Sequence, residues 1–150
     1  MENIKIVRAH PEHLGKLVPL YSGYREFYEA KPDPERETAF LKQRMENNES
    51  VIYLAENESG DGMGFFQLYP IFSSVMMQRV WLLNDLFVAK EHRNKGVAKA
   101  LLKQAVEHGK NTGARSLLLE TGVENFTAQK LYEKLGWERD EDHYVYYIDC

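Results

Sequence analysis

Apolar and polar positions alternate at the start of the chain, with Ile4 and Ile6 on one side and Arg8 continuing the period, which predicts a short strand. His10-Pro11-Glu12 then reads as a helix entrance. From Leu14 the spacing changes to three and four residues through Leu17, Val18, Tyr21, Tyr24, Arg25 and Tyr28, as on one face of a helix. Lys31-Pro32-Asp33-Pro34 stops that run, and a second helix is expected over 35–45 with Phe40 and Leu41 on its modest apolar face.

Period two returns at 51–55, a turn of Glu58-Ser59-Gly60-Asp61-Gly62 follows, and 65–69 completes an expected hairpin. An irregular stretch is expected over 70–77. The next strand, 79–88, is apolar except for the adjacent pair Asn84-Asp85, a polar interruption that needs a reason. From Gly96 the stripe Val97, Ala98, Leu101, Leu102, Ala105 and Val106 predicts a helix ended by Gly109 or Gly113. Residues 116–119 read as a fully buried strand. Asn125 is placed to cap a helix whose Ala128, Leu131, Tyr132 and Leu135 face inward and which Gly136 closes. Trp137 and the alternating Tyr144-Val145-Tyr146-Tyr147-Ile148 supply one or two last strands around the acidic turn Asp140-Glu141-Asp142. The order is that of a mixed α/β chain, read as one domain over 1–150.

Composition narrows the function. With 19 basic and 23 acidic residues the net charge is -4, so the surface as a whole repels polyanions and nucleic acid is a poor partner. No stretch approaches membrane-spanning length, and the first residues do not form a signal segment, so no membrane partner and a cytoplasmic location are expected. The single cysteine, Cys150, permits neither an internal disulfide nor a cysteine-rich metal site. His10 and His13 have a spacing that metals use, but no third ligand is evident and a helix entrance accounts for them; no metal is expected.

One locality runs against the acidic background. After the strand ending Leu86-Phe87-Val88 come Arg93, Asn94, Lys95, Gly96, Val97 and Ala98, with Lys90 and Lys99 on either side. A helix that starts here offers backbone N-H groups and the positive end of its dipole, and Gly96 and Ala98 let an anion approach closely. Read alone, Gly96 equally well shapes a helix entrance and the lysines form a solvated face. Nothing matches G-x-x-x-x-G-K-[ST], and Gly62-Met63-Gly64 has no third glycine, which disfavours a nucleotide site of those kinds.

The R-x-x-G-x-A turn after an L-x-x-L-F-V strand, followed some thirty residues later by Asn125-Phe126-Thr127-Ala128-Gln129-Lys130-Leu131-Tyr132-Glu133-Lys134-Leu135-Gly136-Trp137, resembles the Gcn5-related N-acetyltransferase (GNAT) family. Less specifically, residues 81–88 are similar to the corresponding strand of small polyamine and histone/polyamine acetyltransferases. The resemblance implies a single-domain α/β fold with a mixed central sheet of six or seven strands flanked by about four helices. It implies acetyl-CoA as donor, with Phe87 and Val88 along the pantetheine arm and Arg93, Asn94, Lys95, Gly96, Val97 and Ala98 at the diphosphate. Asn125 and Tyr132 would contact the arm and the sulfur. Ala98 stands where a second glycine is common, which leaves the amide intact.

The chemistry asks for two proton carriers. An amine with a Lys-like pKa of ~10.4 must shed its proton before attack, at a cost of about 4.6 kcal/mol at pH 7, and the departing thiolate needs a donor. With the resemblance, Tyr132 is the expected acid; without it, Tyr132 fills a helix face. A glutamate stands at the position of Asn84 in similar polyamine enzymes, and an amide cannot take the proton, so Asn84 is expected to orient a water or the acceptor. Asp85 is the nearest carboxylate, but strand alternation aims it at the opposite face unless a bulge intervenes, and Glu120 is another candidate. Tyr24 and Tyr28 share a helix face that commonly lines the acceptor site in the family, with core packing the equal alternative. His143 lines the pocket or sits at an edge.

The expected function is acetyl transfer to a small-molecule amine, polyamine or amino-acid-like, by direct attack on the thioester. A non-catalytic acyl-CoA sensor and an enzyme acetylating a protein lysine or N-terminus are the alternatives. A homodimer through the last strands is also expected.

Overall fold

The computed structural model describes residues 2–150. The chain divides into two compact units, Met1–Leu119 and Glu120–Cys150. In the first, β1 (Lys5–Arg8) leads through a 3-10 turn at Pro11–His13 to α1 (Leu14–Phe27) and α2 (Pro34–Glu46). Strands β2 (Val51–Glu56), β3 (Gly62–Ser73) and β4 (Gln78–Val88) follow, then a 3-10 turn at Lys90–His92, α3 (Val97–Asn111) and β5 (Ser116–Leu118). The second unit contains α4 (Phe126–Lys134).

The sheet runs β1-β2-β3-β4-β5, antiparallel through β4, with β5 parallel to β4 across the α3 connection. Five strands are present among the described residues, against the six or seven expected. The difference lies at the C-terminus, where 138–150 forms no ladder and Tyr144, Tyr146, Tyr147 and Ile148 stand 87–90% exposed. Period-two alternation shows what a segment can pair as; a strand also needs a neighbour, and this one has none within the chain.

The two faces of the sheet are set by alternation along β3. Phe65 meets Tyr21 and Tyr24 of α1, and it joins Leu17, Leu20, Leu41, Ile52 and Leu54 in one buried cluster. Phe66, one residue on, points the other way and stacks on Tyr53, which bonds His108 of α3 at 3.0 Å. Helices α1 and α3 therefore cover opposite faces, with α2 packed on α1.

Three local expectations change. The stretch expected to be irregular from residue 70 is strand as far as Ser73, because β2 pairs with β3 only up to Leu68. Past that point Pro70 faces an edge with no ladder to interrupt on its β2 side. Gly109 lies inside α3 and admits the Leu117 side chain, while Gly113, at φ +68, follows the helix end. The strand β5 is not fully buried: Leu118 is 40% exposed, since only three residues pair with β4.

Gly64 is the closest approach of β3 to the end of β4. A Cβ there would lie 2.6 Å from the carbonyl oxygen of Phe87, a backbone atom that cannot step aside. Gly64→Ala should lower stability by about 1–3 kcal/mol in urea denaturation. Gly15→Ala, in open space on α1, should cost nothing.

Candidate active site

The polar interruption in β4 has a structural cause. Gln67 of β3 faces Asp85 and Leu68 faces Leu83, so Asn84 is the extra residue of a β-bulge. Without it, Asp85 would follow Trp81 and Leu83 onto the α3 face. With it, Asp85 joins Gln67, Phe65 and Phe87 under α1, and it is Asn84 that is turned out to solvent. The bulge that sequence spacing left open is thus present.

Asp85 is 2% exposed. One carboxylate oxygen accepts from Gln67 Nε2 at 2.6 Å and the other from Asn84 Nδ2 at 2.8 Å. Burial pushes its pKa up, and the bonds from Asn84, Gln67 and Tyr24 pull against that shift. Tyr24 reaches the same place from α1, its hydroxyl donating to the Asn84 carbonyl at 3.0 Å. Its own ionisation is driven upward, first by burial and then by the Asp85 charge, as is that of Tyr69. Both tyrosines therefore stay protonated near neutrality.

The raised carboxyl has a measurable consequence. Between the ordinary carboxylate range near pH 4 and the higher folded value, native Asp85 holds a proton that the unfolded chain releases. Stability contributed by this group therefore falls as pH rises through that window and levels off above it. Asp85→Asn removes the dependence and keeps the size of the side chain. Relative to the parent, the variant should gain stability from about pH 4 upward, measured by urea midpoints at several pH values.

An aromatic wall continues from Tyr24. Tyr21 stacks on Phe40 at 6.1 Å and Tyr24 meets Tyr28 at 5.2 Å; Tyr28 and Phe27 are each about three-fifths exposed, at 61% and 62%. Behind it, Arg25 holds Glu37 of α2 at 2.7 Å and also donates to the Lys31 carbonyl, which fixes the α1–α2 corner. The 2% exposed Glu37 was not legible as a site support, because its helix reads as polar nearly all round. Gln67, Tyr21 and Tyr69 were also passed over: in a hairpin strand and on a helix face they looked like packing. Their signal is the bulge, which period counting cannot detect.

At its far end β4 is open on one edge, since β5 pairs only with Val80, Trp81 and Leu82. Phe87 turns under α1 against Gly23, where a Cβ would lie 2.8 Å from its ring. Arg93 bends back rather than outward: Nε donates to the Val88 carbonyl at 3.0 Å, with the guanidinium 5.7 Å from the Phe87 ring. Lys95 pairs with Glu2 at 3.3 Å. Two of the basic side chains in this locality thus have partners already, and the backbone carries the cradle. Asn94 and Gly96 take positive φ, +61 and +82, and α3 begins at Val97 with no side-chain cap from Gly96. The first-turn amides of Val97, Ala98 and Lys99 have no intrahelical partner, and a Cβ at Gly96 would meet nothing within 4 Å. This is an anion cradle open to solvent.

In the second unit, Asn125 caps α4 by accepting from the Ala128 amide at 3.3 Å, which commits its side chain to the helix. Tyr132 lies one turn on, with its ring 6.2 Å from that of Trp137, and Gly136 ends the helix at φ +92. Glu120 is exposed at the start of this unit. His143 bonds Asp140 at 2.8 Å within the tail, and in the first unit His13 Nδ1 accepts the His10 amide at 2.9 Å. Among the described residues no helix is long and apolar enough to cross a membrane.

Comparisons with known proteins bear on this arrangement. The family model described as Acetyltransferase (GNAT) family matches residues 17–137. An uncharacterized N-acetyltransferase, YhfO, of Bacillus subtilis (strain 168) is 45% identical over 137 residues, covering 91% of each chain. A crystal structure of a probable acetyltransferase superposes with a TM-score of 0.92 at 43% identity over 97% of both chains. The aminoglycoside N-acetyltransferase AAC(6')-Iy, solved with coenzyme A, shares the fold at a TM-score of 0.81 and 24% identity, over 100% of this chain and 97% of that one. The uncapped helix start after β4 and the match over most of its length place the chain plainly: it belongs to the GNAT family of acetyltransferases.

Proposed function

We propose that the protein transfers the acetyl group of acetyl-CoA to the amine of a small cationic acceptor, with Asp85 as the base and Tyr132 as the acid. The observation that carries this reading is the bulge at Asn84, which brings a buried carboxylate of raised pKa to an aromatic wall on the strand that leads into the anion cradle.

The amides of Val97, Ala98 and Lys99 hold the diphosphate, with Gly96 giving access, and Arg93, Asn94 and Lys95 shape the turn. Phe87 and Val88 guide the arm along the open edge of β4. Asp85 accepts the ammonium proton, directly or through a water oriented by Asn84. A carboxylate whose pKa lies above the ordinary range is better matched to this task than an exposed one. The free amine forms the C–N bond as the C–S bond breaks, and Tyr132 donates a proton to the departing thiolate, with Asn125 holding the turn that positions its helix.

The acceptor class follows from the α1 side. Tyr24 and Tyr28 present ring faces, and exposed Glu26 and Glu29 flank Phe27 and Tyr28, a combination that attracts a cation and repels a carboxylate. A diamine or polyamine fits better than an amino acid or an acidic peptide. A panel of diamines, monoamines, amino acids and peptides scored by thiol release tests this. Diamines should give the highest kcat/KM; a preference for peptides would favour a protein substrate instead.

A further inference from the structure

The unit Glu120–Cys150 buries none of its own residues, although Tyr144, Val145, Tyr146, Tyr147 and Ile148 form an apolar run. All five are between 72% and 90% exposed. The segment is presented rather than loose. Asp140 accepts from the Asp142 amide at 2.9 Å and from His143 at 2.8 Å, and Arg139 pairs with Glu141 at 2.8 Å, so a bonded turn sets the direction in which the run leaves. Five consecutive aromatic and β-branched residues left in water are a strand in want of a sheet.

The first unit offers what such a strand needs. β5 is an outer strand of the sheet, only three residues long, with one edge unpaired and Leu118 40% exposed. We propose that residues 144–148 of one chain pair with β5 of a second copy, each chain giving its strand to the other in a closed twofold dimer. Exchange of this kind uses the same segment and the same edge twice and leaves no free edge to propagate. An antiparallel arrangement brings Asp149 beside exposed Arg115, which precedes β5, so charge as well as pattern favours a second copy of this chain. It also supplies the sixth strand that a single chain lacks.

Cys150, exposed and the only cysteine, allows a direct test. Unlabelled protein carrying a nitroxide at Cys150 is mixed, after exchange through mild urea, with nitrogen-15-labelled Cys150→Ser protein, and amide signals are recorded. Loss of signal at Ser116, Leu117 and Leu118 of the labelled chain is expected, because its only source is the other chain's tail. Broadening confined to samples with label and isotope in one chain, or no broadening at all, overturns the proposal. Light scattering of a chain truncated after His143 gives a second readout: a dimeric parent becoming monomeric supports the exchange, and a parent already monomeric at tens of micromolar contradicts it. Both readouts are independent of acetyl-CoA turnover.

Discussion

Tyr132→Phe should lower kcat by about 100-fold or more while leaving the affinity for acetyl-CoA nearly unchanged. The substitution removes one hydroxyl and keeps the ring that lies 6.2 Å from Trp137, so α4 retains its packing. What is lost is the proton donor. A phenol of ordinary pKa near 10 is uphill by about 2 kcal/mol for full transfer to a thiolate with a conjugate acid near 8.5, so its contribution is a hydrogen bond that strengthens as charge develops on sulfur. Such a bond acts on the transition state and hardly on the bound donor. The split between kcat and donor affinity, measured by steady-state kinetics and calorimetry, separates this role from packing. A loss of affinity equal to the loss of rate would mean that Tyr132 only shapes the site.

Gly96→Val should have the opposite signature, weakening acetyl-CoA and CoA binding by about 10- to 100-fold with a modest effect on stability. Gly96 sits at φ +82, where a β-branched residue is strained by roughly 1–2 kcal/mol. The new side chain meets no protein atom within 4 Å of its Cβ, so the fold has room for it. That open space is where the diphosphate must come close to the amides of Val97 and Ala98. Calorimetry with CoA, set beside a urea curve, distinguishes the two effects. Equal affinity for CoA in parent and variant would move the diphosphate away from this turn. Arg93→Ala should be the milder change, because its Nε already serves the Val88 carbonyl.

The sequence made some of this legible and hid the rest for definable reasons. The period change at Gly96 marks α3 without any tertiary information, because the stripe Val97, Leu101, Leu102 and Ala105 is also the buried face. Asn125 announces a cap for the same local reason, and the structure shows its bond to Ala128. Asp85 could not be oriented from spacing, because one inserted residue at Asn84 reverses every side chain on one side of it. Glu37 was invisible because its burial depends on Arg25, twelve residues away on another helix. The tail failed in an instructive manner: its alternation was read correctly as a strand signal, yet a strand is a property of two segments, and the partner is not in the same chain's ladder. Arg93 and Lys95 looked like anion ligands from charge alone, whereas each already has a partner and the amides behind them are what the turn exposes.

The most direct measurement follows an isotopically labelled acetyl group from acetyl-CoA through a reaction with a diamine, reading both products by mass spectrometry. The account predicts label on the amine nitrogen, one free CoA thiol for each acetylated product, and no labelled enzyme at any time. Acetyl-CoA that binds and raises the melting temperature but returns intact, with no acetylated amine across the panel, would contradict it and leave the chain as a binding module.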